Sequence, residues 1–129
     1  MRRNVIIILM TLMLAAVGAA CGGSSYGSNN NGPSVTPVPS GPNTVLAPNG
    51  AYLGNGINFT PGTLTVSAGT TVLWGNNDVT THTVTSDAGA FNSNNLNSGE
   101  TFQVKFDNPG QFKYHCSIHP FMTGTIVVQ

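Results

Sequence analysis

The chain has 129 residues and is formally neutral, with four Lys and Arg against four Asp and Glu, only 6% charged. Four basic residues cannot build the positive stripe that displaces counterions from phosphates, so a nucleic-acid binder is excluded. Glu, Lys and Arg are too scarce for a charged helical bundle, and 16 glycines with 8 prolines point instead to a turn-rich β protein.

Residues 1–20 read as a signal peptide. Arg2 and Arg3 precede an apolar run from Val5 to Val17, which gives way to the small residues Gly18-Ala19-Ala20. A charged start, a short apolar stretch and small residues at the cut are the marks of secretion. The run is 13 residues, short of the roughly 18–20 needed to span a bilayer. Ala19-Ala20-Cys21 resembles the lipobox of bacterial lipoproteins, although Gly18 stands where a larger aliphatic residue is commoner. The resemblance implies cleavage before Cys21 and lipidation of its thiol, and so an anchor on the outer face of a membrane or in the periplasm. The sequence then keeps Cys116 as its second cysteine, and with Cys21 lipidated no disulfide is available within the chain.

Residues 21–50 read as a flexible tether, with Val45 to Gly50 alternatively the start of the first strand. Gly22 to Gly50 carries no charge, and Gly, Ser, Asn and Pro make up 21 of its 29 residues. Such a segment has too little apolar surface to offset its ordering entropy. As a coil it would reach on the order of 30 Å.

Residues 51–129 read as one β domain. Leu64 and Val66, Val72 and Trp74, Phe102, Val104 and Phe106, and Phe112, Tyr114 and Cys116 each alternate with polar or outward positions, and the chain ends Ile126-Val127-Val128. Period-two alternation of β-branched and aromatic residues marks half-buried strands. Pro61-Gly62, Ala68-Gly69, Asn76-Asn77-Asp78, Ser98-Gly99 and Asp107-Asn108-Pro109-Gly110 supply the turns between them. The expected fold is all-β, an antiparallel Greek-key β-sandwich of about seven to eight strands.

The chemistry is concentrated after the fourth of these runs. Cys116-Ser117-Ile118-His119-Pro120-Phe121-Met122 places a thiolate, an imidazole and a thioether within seven residues, and Met122 is the chain's one methionine outside the signal segment. Thiolate and thioether are soft donors that suit copper, and two imidazoles with a thiolate and a weak axial Met make a blue-copper site. His82, after the turn at Asn76-Asn77-Asp78, is the natural second imidazole. His115 adjoins Cys116 on the same strand and faces the other way. Zinc is the competing metal, disfavoured because a thioether is a poor zinc ligand.

The stretch from Phe59 to Gln129 resembles the cupredoxins, the small type 1 copper proteins of the plastocyanin, pseudoazurin and amicyanin group. The short loop Cys-x-x-His-Pro-Phe-Met is most similar to amicyanin. The resemblance implies one copper ion held by His82, Cys116, His119 and Met122, cycling between Cu(II) and Cu(I). It also implies an electron-transfer surface at His119, Pro120 and Phe121. The family usually has Asn directly after the first His, where its side chain bonds to the Cys loop. Here Thr83 stands in that place, with a shorter hydroxyl that can reach Ser117.

The expected function is single-electron transport, without enzymatic bond chemistry, by a membrane-tethered monomer. Its transient partners would be a redox donor and acceptor such as a cytochrome, membrane oxidoreductase or dehydrogenase. A copper delivery or sequestration module is the alternative, and a copper-free adhesion sandwich a third reading.

Overall fold

The computed structural model describes residues 36–129. The signal segment, the lipobox with Cys21 and the first half of the tether lie outside the described residues. Seven strands make up the fold: β1 (Thr44–Ala47), β2 (Thr63–Val66), β3 (Thr70–Asn76), β4 (Thr85–Ser86), β5 (Thr101–Phe106), β6 (Gly110–His115) and β7 (Thr123–Val128). One sheet has the order β1-β3-β5 and the other β2-β7-β6-β4. Among the described residues, no helix is long and apolar enough to cross a membrane.

The sandwich is as expected, but its sheets are mixed. β1 pairs with β3, and β2 with β7, in parallel; β3–β5, β6–β7 and β4–β6 are antiparallel. Alternation along a strand reports which face is buried, and is the same in both kinds of pairing. The chain leaves β1 in one sheet, lays β2 in the other, and returns for β3. It therefore meets β1 again running the same way.

The sandwich also begins before residue 51. β1 lies in the segment read as tether, with Val45 and Ala47 buried. Val38 is buried too, and its backbone N–H and carbonyl are both held by the Asn77 side chain, at 2.6 and 3.1 Å. A Cβ at Gly75 would lie 2.6 Å from a Val38 methyl. Proline-rich composition left this edge undecided between tether and first strand, because β1 has only four residues and its ladder partner lies on β3.

Trp74 of β3 is the centre of the core, 1% exposed. Rings of Phe91, Phe102 and Phe106 pack around it at 5.6–6.3 Å, and Tyr114 meets it edge-on at 5.5 Å. Each large side chain so buried contributes roughly 1.5–3 kcal/mol. Tyr114 fits only because its cross-strand neighbour on β7 is Gly124. A Cβ there would overlap the phenol ring. Gly124→Ala is expected to lower stability by about 3 kcal/mol, at the upper end of overpacking costs, since the obstacle is a rigid buried ring. Urea denaturation would show an earlier midpoint; an unchanged midpoint would contradict this packing.

Candidate metal centre

β6 ends at His115, so Cys116 is the first residue of the turn into β7. Two backbone bonds close that turn: Met122 N–H donates to the His119 carbonyl at 2.8 Å, and Cys116 N–H to the Met122 carbonyl at 3.0 Å. His119 is thereby folded back over Cys116. Met122 is wholly buried on the same turn.

His82 lies on the connection from β3 to β4, outside both sheets. After β3 the chain makes a tight excursion pinned by Asn76, whose side-chain amide donates to the carbonyls of Thr80 and Leu96 at 2.7 and 2.8 Å. Its carbonyl oxygen accepts the Asp78 N–H at 2.9 Å. His82 then exchanges two backbone bonds with Leu96, at 3.1 and 2.8 Å. The Asn-Asn-Asp run, legible in the sequence only as a turn, is a bracket for the histidine.

The turn and the bracket bring three donor atoms together. Cys116 Sγ lies 3.7 Å from His82 Nδ1 and 3.7 Å from His119 Nδ1, and the two nitrogens are 3.1 Å apart. A point equidistant from three atoms so placed lies about 2 Å from each, close to metal–imidazole and metal–thiolate bond lengths. Lone pairs converging this closely call for a cation or a shared proton. Cys116 and His82 are fully buried, while His119 is half-buried. Met122, bonded through its backbone to both Cys116 and His119, adds a candidate thioether to the two imidazoles and one thiolate, the soft set that favours copper over zinc.

Electrostatics point the same way. Burial pushes the Cys116 thiol up, but the His82 ring, the Thr83 N–H at 3.3 Å and His119 outweigh it and bring it down to about 6. Burial pulls the His82 imidazole down, and the thiolate of Cys116 and the carboxylate of Asp78 more than restore it, holding it above 6.5. In the metal-free site the thiol therefore ionises far more readily than an ordinary cysteine, and the His82 imidazole holds a proton more tightly than a free one.

Thr83 does reach the cysteine loop. Its hydroxyl accepts the Ser117 backbone N–H at 2.7 Å and bonds to Thr85 Oγ1 at 3.1 Å. The Ser117 hydroxyl goes to Thr85 at 2.9 Å rather than to Thr83. Three hydroxyls thus tie the two loops together, and Thr85 had no sequence signal beyond its place on a strand. His115 turns outward, with Nδ1 2.6 Å from Asp87.

Asp78 is the residue that sequence reasoning passed over. It is fully buried and its Oδ2 lies 2.9 Å from His82 Nε2. Burial raises its carboxyl, but the His82 ring N–H and the N–H groups of Gly50, Val79 and Tyr52 hold it below its ordinary 3.8. An acid four residues before a ligand histidine was the available clue.

The family profile of copper binding proteins, plastocyanin/azurin family, matches residues 49–129. The chain belongs to this family. Among relatives of this cupredoxin, amicyanin of Paracoccus versutus is 32% identical over 71 residues, covering 51% of this chain and 54% of that protein. The chain thus spans about half the length of that relative. Plastocyanin of Scenedesmus fuscus is 37% identical over 84 residues, 55% of this chain and 86% of the relative. Among solved structures, a purple cupredoxin from Nitrosopumilus maritimus superposes with a TM-score of 0.63 at 35% identity, over 67% of this chain and 98% of that one. One copper ion is the cofactor of this cupredoxin, with His82, Cys116, His119 and Met122 as its candidate ligands.

Proposed function

We propose that this cupredoxin is an extracytoplasmic carrier of single electrons, tethered to a membrane through Cys21. The observation that carries the reading is the fixed convergence of His82, Cys116 and His119, with His119 the one member that reaches the surface. Bound there, copper supplies one-electron exchange between Cu(II) and Cu(I). The chain's part is to hold the donors still, so that little rearranges when charge changes. Asp78, Thr83 and the two bonds closing the 116–122 turn do this.

The surface beside His119 suits brief encounters. Pro120 is exposed, Phe121 is 49% exposed with its ring 5.9 Å from the imidazole, and Ile118 is 47% exposed. Phe121 lies against Gly54, next to exposed Leu53. An apolar port of this kind fits transient docking to a redox donor and acceptor, such as a cytochrome, membrane oxidoreductase or dehydrogenase. The Arg2-Arg3 start, the apolar run and Cys21 support export and anchoring.

The deciding experiment is electrochemistry of the copper-loaded protein together with copper quantitation. A carrier shows a reversible midpoint and fast self-exchange while keeping its metal. Ready transfer of the copper to an apo-acceptor would make it a delivery module instead.

A further inference from the structure

Asp78 is buried with no Lys or Arg beside it, an arrangement that is costly unless the carboxylate is fully bonded. It is. Oδ1 accepts the N–H groups of Gly50 at 3.0 Å and Val79 at 2.8 Å. Oδ2 accepts Tyr52 N–H at 3.2 Å and faces His82 Nε2 at 2.9 Å. The backbone of Asp78 is fixed as well, its N–H on Asn76 Oδ1 and its carbonyl taken by the Ser98 hydroxyl. A carboxylate with three backbone donors can only accept from the fourth partner, so His82 donates through Nε2–H. That leaves the Nδ1 lone pair facing Cys116 and His119.

We propose that Asp78 is a positioning residue which holds His82 in its metal-binding tautomer and biases the bound copper toward Cu(II), lowering the midpoint potential. The inference rests on the copper reading above. The physical basis is that a carboxylate on the far nitrogen makes imidazole a stronger donor, and the more highly charged ion gains more from it. The anion is uncompensated by any other side chain in contact, so its field adds to the same bias. The carboxylate also joins the Gly50–Tyr52 segment to the metal ligand, so this turn is part of the centre's support.

The test is Asp78→Asn beside wild type, both loaded with copper and quantified, with folding checked by near-ultraviolet circular dichroism. Outer partners of metal-ligating histidines are worth roughly 10–100-fold in affinity. The expected result is a loss of Cu(II) affinity at least about tenfold greater than that of Cu(I), which raises the midpoint by about 59 mV per tenfold for one electron. Equal losses for the two ions, or an unmoved midpoint, overturn the bias and leave Asp78 only a structural residue. A second measurement needs no variant. In the Cu(I) wild type, the His82 Nε2–H proton is expected far downfield and slow to exchange, as for a charge-assisted bond; an ordinary shift with fast exchange overturns the proposal. Wild type that takes up no copper overturns the copper reading itself, and so is distinct from wild type that binds copper while Asp78→Asn leaves the midpoint unmoved.

Discussion

Cu(II)-loaded protein is expected to be intensely blue, and Cys116→Ser colourless. The colour comes from charge transfer between a thiolate and Cu(II), and Cys116 is the free cysteine of the described residues. A serine hydroxyl is neither soft nor ionised at neutral pH, so copper affinity falls by more than the ~100-fold that an outer partner can cost. The fold survives the change. Serine is close in size, and its oxygen can accept the Thr83 N–H that now points at sulfur. Visible spectra with copper quantitation check this. A colourless wild type at full copper occupancy would sink the type 1 site. Zinc in the same pocket would be silent in the spectrum, which is why the metal must be counted.

Copper affinity is expected to fall steeply in acid, in two stages. A bound metal requires the thiolate and neutral imidazoles, so binding displaces whatever protons the empty site holds. Against burial, Cys116 and Asp78 raise the His82 imidazole from its ordinary 6.5, so it takes up a proton earlier than a free histidine as pH falls, and once it is protonated apparent affinity drops about tenfold per pH unit. Below about 6 the Cys116 thiol is protonated as well. Two protons must then leave, and the slope steepens to about 100-fold per unit. The direction follows from both shifts: the empty site gains protons as pH falls, while the donor atoms of the loaded site carry none. Chelator competition from pH 5 to 8 measures it. A flat profile down to pH 5 would mean that neither donor takes up a proton in this range.

Several features were legible because they are local. Cys116, His119 and Met122 lie on one turn, and a seven-residue window shows soft donors at close spacing. The core strands showed as well, since Val72 and Trp74 or Phe102, Val104 and Phe106 alternate along single segments that each bury one face. His82 could be chosen because His115, beside Cys116, had to face the other way, as its pairing with Asp87 bears out.

Other features depend on residues far apart in the chain. β1 is four residues within a proline-rich stretch, and only its ladder with β3 makes it a strand. Thr83 touches Ser117 across 34 positions. Tyr114 needs a glycine on β7 because the two strands happen to be in that register.

By itself the sequence determined the class of the protein: its donor set, its β character, and a docking face with little charge. A donor set follows from residue types, and strands from period. Only the tertiary structure decided how the donors are held. It placed three atoms 3.1–3.7 Å apart, chose mixed sheets over antiparallel ones, and buried Asp78 against His82. A carboxylate in a turn looks the same in sequence whether it faces water or a ligand. Its meaning came from the Gly50 and Tyr52 amides, 28 and 26 positions away, which leave it no partner but the histidine.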